Sequence, residues 1–190
     1  MELNLKNFNI RQTKPNIFGN IALPENTERY VVKAQGLIGI DIFNGDQIKI
    51  IDLEGGQICE VIVFDNNGKN NQSIISQKNN GDAKFTKHVL SNSIDKKILL
   101  EKLKKKKINF DIIKSSNFFN SSSLDKESEE FTAQEDCFII FSAPGDDMLV
   151  DQQNSPTDIE VQIKRINIKQ SKLKSFLPDP LAKTSEEFLI

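Results

Sequence analysis

The sequence predicts a mainly β protein: an antiparallel β-sandwich or barrel-like core of about seven to nine strands, with one α-helix and long polar loops. Three observations lead to this prediction. Short runs rich in Ile and Val recur along the chain, and turns that contain glycine separate the early runs. A single segment has the apolar spacing of an amphipathic helix.

The first four predicted strands follow one another closely. Asn44-Gly45-Asp46 and Gly55-Gly56 supply the positive φ angles that tight turns need, and Gly36 separates the first two runs. Residues 47–50 alternate polar and apolar side chains, as a half-buried antiparallel strand does. We therefore expect an antiparallel meander over residues 30–34, 37–43, 47–53 and 57–64.

The middle of the chain is predicted to contain the loops and the helix. Residues 66–82 and 115–130 are polar, so we expect exposed loops, the second anchored by Phe118 and Phe119. Ser93 is placed to cap a helix over about residues 94–107. The apolar face of that helix consists of Ile94, Ile98, Leu99 and Leu103.

Three further runs have strand character. Residues 108–113, 137–141 and 158–168 are rich in Ile, Val and Phe. Ile166 and Ile168 change the phase of the alternation in the last run, which predicts a bulge near Lys164-Arg165.

Composition bounds the class of protein. The net charge of −2 favours neither nucleic acid nor an acidic membrane, and no apolar run approaches the ~20 residues of a membrane-spanning helix. The chain begins without a secretory signal pattern, and two cysteines are too few for a disulfide framework. We expect a cytoplasmic protein. We expect residues 1–29 to form a lead-in, 30–169 a β domain, and 170–190 a linker that leads into a further domain.

Residues 142–161 carry the strongest motif. Its matching positions follow the pattern S-A-C-P-D-D, a variable insert, then N-P-T-D-I-x-V; they are Ser142, Ala143, Asp146, Asp147, Pro156, Thr157, Asp158, Ile159 and Val161. Residues 45–57 follow G-x-x-I-x-I-x-D-x-x-G-x-Q, and Asn117-Phe118-Phe119 match an N-F-F element. These three segments resemble the urea-carboxylase-associated proteins, and the resemblance implies that family's fold.

The resemblance also implies two kinds of function. Members of the family are thought to hydrolyse carbon–nitrogen bonds of guanidine-derived compounds with a metal held by cysteine and histidine. The domain also precedes folate-dependent aminomethyltransferases related to the glycine-cleavage T protein. This chain departs from the pattern: Pro144 replaces the family's cysteine and Gly145 its proline, and His88 is followed by Val89 where the family has aspartate. Proline offers no side-chain ligand, whereas a thiolate binds zinc strongly.

Few residues could carry chemistry. The candidates for zinc are Cys59, Glu60, His88 and Cys137, although their spacing forms no recognised ligand motif and the cysteines equally suit buried strand positions. Asp146 and Asp147 suit either a paired-carboxylate site or a turn held by side-chain-to-backbone hydrogen bonds. The candidate ligand-binding residues are Gln57, Glu60, Asp146, Asp147 and Asp158.

Three functions remain open from the sequence. The first is a non-catalytic accessory or ligand-sensing domain, without a cofactor of its own, in a larger aminomethyltransferase-like polypeptide that uses tetrahydrofolate. Its partners would be further domains of that polypeptide or a like subunit, without nucleic acid or membrane. The alternative is a zinc-dependent hydrolase of a small guanidino or amidine compound, in which Glu60 moves the proton of a zinc-bound water. The third is a dimerisation module that uses an exposed β edge.

Overall fold

A computed structural model describes residues 24, 26–92, 103, 108, 113–145 and 155–166. This part of the chain contains eight strands, one helix and a short 3-10 helix at Gln72–Ile75. In chain order the elements are β1 (Thr27–Val32), β2 (Leu37–Ile42), β3 (Gln47–Asp52), β4 (Cys59–Asp65), α1 (Lys84–Asn92), β5 (Ser116–Phe118), β6 (Ser128–Thr132), β7 (Cys137–Ser142) and β8 (Ile159–Lys164).

The strands form two four-stranded antiparallel sheets. Sheet 1 has the order β1-β8-β3-β6, and sheet 2 has the order β2-β7-β4-β5. Alternate residues of both sheets, such as Ile50 and Val161 in sheet 1 and Val63 and Ile139 in sheet 2, meet in one fully buried core. This arrangement confirms the predicted mainly β, sandwich-like fold.

The predicted meander is wrong, although its four strands lie close to the predicted positions. Consecutive strands β1 to β4 lie alternately in sheet 1 and sheet 2, so no two of them pair with each other. β8 lies between β1 and β3, and β7 lies between β2 and β4. Gly45 and Gly55 have the expected positive φ angles. A tight turn can connect two strands of one sheet or strands of two different sheets, so the glycines did not show which strands pair.

A second apolar layer covers the outer face of sheet 2. Ile62 and Phe64 of β4 and Ile140 of β7 point away from the inter-sheet core and pack with Val89 of α1. The sequence patterns did not predict α1. The predicted helix over 94–107 lies outside the described residues except for Leu103, which is helical and fully buried in this layer.

The second predicted loop is wrong in part. Residues 115–130 include β5 and the start of β6, which pair with β4 and β3. Phe118 does anchor the segment, because its ring stacks on Phe131 with centroids 5.6 Å apart. Of the predicted strand 108–113, the two described residues, Ile108 and Ile113, are buried and lie outside any strand.

The predicted bulge near Lys164-Arg165 is also wrong. β8 ends at Lys164, and the inward alternation of Ile159, Val161 and Ile163 continues to Arg165, which is 2% exposed. Ile166 is exposed instead. β1 begins at Thr27, inside the segment predicted as a lead-in. Within the described residues, no helix is long and apolar enough to cross a membrane.

Candidate functional site at one end of the sandwich

Most of the described motif residues gather at one end of the two sheets, which we call the motif end. β4 begins there, and Glu60 pairs with Ser142 at the end of β7. β3 ends there, and Asp52 pairs with Ile159 at the start of β8. The segments 52–60, 142–145 and 155–159 are therefore neighbours, although they are far apart in the sequence.

Gln57 joins the two ends of the connection between β7 and β8. Its side chain is 4% exposed. Its Nε2 donates to the carbonyl oxygens of Pro144 at 2.7 Å and Ile58 at 2.8 Å, and its Oε1 accepts from the N–H of Thr157 at 2.9 Å. Each of these partners is a backbone group. The side chain therefore satisfies buried main-chain groups in the manner of a structural glutamine.

Glu60 holds the start of α1 against sheet 2. One carboxylate oxygen accepts from the backbone N–H of Thr86 at 3.1 Å and from its Oγ1 at 2.6 Å, and Ser142 Oγ lies 3.3 Å away. The first N–H groups of a helix lack partners within the helix, and an anion is favourable beside them. Glu60 and Thr86 are both buried, so this contact supplies a buried partner for each.

Asp158 fixes the turn between β1 and β2. Its Oδ1 accepts from the N–H of Ala34 at 2.9 Å, and its Oδ2 pairs with the ammonium of Lys33 at 2.5 Å. The backbone of Ala143 binds the same turn: its N–H donates to the carbonyl of Gly36, and its carbonyl accepts from the N–H of Gln35.

Pro144 and Gly145, which depart from the family motif, lie where the chain is closely packed. A Cβ atom added to Gly145 would lie 2.5 Å from Cγ of Pro156 and 2.7 Å from Cγ of Gln35. These distances are too short for any side chain without movement of its neighbours. The carbonyl of Pro144 is bound by Gln57. Asp146 and Asp147 lie outside the described residues, so their role as ligand-binding residues stays a prediction.

The zinc candidates do not converge on one point. Cys59 points into the inter-sheet core, whereas the next residue, Glu60, points to the opposite face of the strand and contacts α1. Cys137 pairs with Asp65 at the far end of β4, about 20 Å from Cys59 along the strand. His88 lies on α1 with an exposed side chain. Among the described residues, no group of three or more His, Cys, Asp or Glu could hold a metal ion.

Both thiols are held in their neutral form. Burial in the core, followed by the charges of Glu60 and Asp52, raises the pKa of Cys59 well above its usual range. Burial, reinforced by Asp136, raises the pKa of Cys137 to about 12. The thiolate is the form that attacks electrophiles, so neither cysteine is activated as a nucleophile in this structure.

Sequence patterns missed the most strongly ionic cluster, which lies at the end of the sandwich opposite the motif end. The guanidinium of Arg165 donates to Glu28 at 2.7 Å and 2.9 Å and to Asp46 at 2.5 Å, and all three side chains are fully buried. Tyr30 also donates to Glu28, at 2.7 Å. The alternation of side chains along the strands could have revealed the cluster. Glu28, Asp46 and Arg165 each lie two residues from an inward-facing residue of β1, β3 or β8, so the same alternation directs their side chains inward.

The chain is similar in sequence to part of a longer protein. No family model matches the chain. The chain is 33% identical over 171 residues to a trimethylamine-oxide aldolase of Ruegeria pomeroyi. The alignment covers 89% of this chain but only 21% of that relative. A crystal structure of a DUF1989 family protein from Silicibacter pomeroyi is similar with a TM-score of 0.42 and 10% identity, over 75% of this chain and 83% of that one.

Proposed function

We propose that this chain is a non-catalytic accessory or ligand-sensing domain of a longer polypeptide related to trimethylamine-oxide aldolase. One observation carries the proposal: at the motif end, the polar atoms of Gln57, Glu60 and Asp158 bind the chain's own backbone and neighbouring side chains. A general acid or base must instead reach a substrate proton directly or through one water. These residues stabilise the arrangement of the strands.

The relative's length supports the accessory part of the proposal. The chain spans about a fifth of that protein, so most of a related polypeptide would lie outside it. The resemblance of residues 45–57 and 142–161 to urea-carboxylase-associated domains suggests what the remainder contains. We propose an aminomethyltransferase-like domain that binds tetrahydrofolate, with this chain packed against it or against a like subunit.

Glu60→Gln in the full-length polypeptide tests the proposal. We expect the rate of trimethylamine oxide consumption to stay within about twofold of wild type, because the amide still accepts from Thr86. The free energy of unfolding should fall by about 1 kcal/mol, since a hydrogen bond to a charged group becomes a neutral one. Glu135→Gln, at an exposed position, is the matched control. A loss of 100-fold or more in kcat for Glu60→Gln alone would indicate general acid–base catalysis and overturn the proposal.

The zinc-hydrolase alternative makes a different prediction. It requires a bound metal with Cys59, His88 or Cys137 among its ligands, which the observed separation of the two cysteines disfavours. Elemental analysis of wild type and of Cys59→Ala, His88→Ala and Cys137→Ala distinguishes the two functions. The accessory domain predicts the same zinc content in all four proteins. Loss of zinc in any variant that keeps its native circular dichroism would favour the alternative.

A further inference from the structure

The outer face of sheet 1 carries a cavity that neither the motifs nor the proposed function uses. Its volume is about 280 Å³, close to the lower end of the ~300–1,000 Å³ of small-molecule sites. Outward-facing residues of β1, β3, β6 and β8 line it, together with the core residues Ile48 and Phe131. The ones that matter below are Thr27, Gln47, Lys49, Glu130, Gln162 and Lys164.

A buried hydroxyl without a partner lies in the wall of this cavity. Thr27 is 5% exposed, and its Oγ1 has no hydrogen-bond partner among the described residues. A buried polar group of this kind destabilises the fold when it is left unsatisfied. Such groups are uncommon, and the binding of a ligand is one physical explanation for them.

A positive charge stands next to that hydroxyl. Lys164 lies directly opposite Thr27 in the register of β1 and β8, and opposite Gln47 in the register of β3 and β8. Directly opposed residues have their Cβ atoms about 4.5–5.5 Å apart, so the three side chains can contact one small molecule. Lys164 forms no ion pair or hydrogen bond through its ammonium with any described residue.

The charges that line the cavity favour a ligand with one negative charge. Lys49, the other lysine, is paired with Glu130 at 2.7 Å, so Lys164 is the one lining cation without an ion pair to any described residue. A ligand with one negative charge would neutralise Lys164. A phosphate dianion would lack a second cation and would approach the carboxylate of Glu130. The hydroxyl of Thr27 and the amides of Gln47 and Gln162 are neutral groups that can bind the rest of a small polar molecule.

We propose that this cavity binds a small organic monocarboxylate, with its carboxylate between Lys164 and Thr27. The site is separate from the motif end and independent of the accessory role proposed above. A ligand there would bridge β1, β8 and β3, the three neighbouring strands of sheet 1.

Saturation-transfer NMR on the full-length polypeptide tests the proposal, with lactate as the probe and uncharged lactamide as its isosteric control. We expect saturable binding of lactate and at least tenfold weaker binding of lactamide and of inorganic phosphate. Lys164→Gln should weaken lactate binding roughly tenfold through loss of a charge-assisted contact. Lys78→Gln, an exposed lysine outside the cavity, is the matched control and should leave the affinity unchanged.

Thr27→Val separates a binding role from a structural one. Valine has the shape of threonine without the hydroxyl, so the free protein should keep or raise its melting temperature while lactate binds several-fold more weakly. Absence of lactate binding, equal binding of lactamide, tighter binding of phosphate, or unchanged affinity in both Lys164→Gln and Thr27→Val would overturn the proposal.

Discussion

At the scale of single residues, Arg165 shows how a charge is accommodated in this core. Burial lowers the pKa of its guanidinium, but the hydrogen bonds and charges of Glu28 and Asp46 outweigh that effect and raise it. Asp46 also accepts from the N–H of Phe43 at 3.0 Å, and the guanidinium donates to the carbonyl of Asp41. Each member of the cluster is therefore satisfied by several partners, which a buried ionic group requires.

Removal of Arg165 should be severe. Arg165→Met leaves two carboxylates buried without a cation, and we expect the free energy of unfolding to fall by about 3–5 kcal/mol. The measurement is urea unfolding followed by circular dichroism. Lys49→Met is the matched control, because its pair with Glu130 is exposed and worth less than about 1 kcal/mol. A loss below about 1 kcal/mol for Arg165→Met would contradict a structural role of the cluster.

The raised pKa of Cys137 should make the free energy of unfolding depend on pH in alkaline solution. Its pKa is raised from 9.0 to about 12 in the folded protein, so from about pH 9 upward the unfolded chain loses the thiol proton while the folded chain keeps it. The stabilisation is fully present below about pH 9 and is lost as the pH rises towards about 12. We expect the free energy of unfolding of wild type to fall more steeply than that of Cys137→Ala, by up to about 1.4 kcal/mol per pH unit.

Urea unfolding of both proteins between about pH 8 and pH 10.5 checks this difference. The Cys137→Ala protein contains every other ionisable group of wild type, so the difference between the two curves reports the Cys137 thiol. Parallel curves for the two proteins would show that the thiol titrates as it does in the unfolded chain.

At the scale of elements, Gln57 explains how the long connection between β7 and β8 is held at both ends. The residue was predicted as a ligand-binding candidate, and it ends the segment that follows G-x-x-I-x-I-x-D-x-x-G-x-Q. The structure places it at the motif end, where its amide binds Pro144 and Thr157. These two backbone partners lie 87 and 100 residues away in the sequence, so no local pattern could identify them.

Gln57→Leu should loosen this connection. The substitution keeps the approximate volume but leaves the carbonyl of Pro144 and the N–H of Thr157 without partners, so we expect a loss of about 2–3 kcal/mol. Hydrogen exchange should show faster exchange at Thr157 and unchanged protection in β7. Gln134→Leu, at an exposed position, is the control and should have little effect. Unchanged exchange at Thr157 in Gln57→Leu would argue against the bridge.

At the scale of the whole molecule, the two sheets are interleaved along the chain. β7 and β8 are central strands, and both come after every strand with which they pair. β1 pairs within the described residues only with β8, more than 100 residues later. The sandwich therefore depends on pairing between distant segments. Closing such long loops costs conformational entropy, which slows folding.

A chain that ends at Gly145 should fail to fold. It lacks β8, so β1 loses its partner and β3 keeps only β6. We expect poor dispersion of amide resonances and no cooperative unfolding transition. A peptide of residues 155–166 added in trans should restore dispersion, whereas the same peptide with Val161→Asp should not, because Val161 is fully buried. Native-like dispersion without the peptide would show that sheet 1 forms without its central strand.

The sequence by itself determined the positions of β2, β3, β4 and β7 to within about two residues, where glycine turns occur, and which segments resemble a known family. Alternation and turn chemistry are local, so a short stretch of chain is enough to reveal them. Gln57, Glu60 and Asp158 were recognised instead from the family resemblance, and the structure places them at the motif end.

Only the tertiary structure decided which strands pair, which charges are buried, and what the motif residues bind. A strand's pattern shows that one face is covered but carries no information about which strand lies beside it. For the same reason, no sequence pattern paired Arg165 with Glu28, which meet because β1 and β8 lie side by side. The partners of a buried polar group are set by packing between distant segments, and the packing of the whole core chooses those segments.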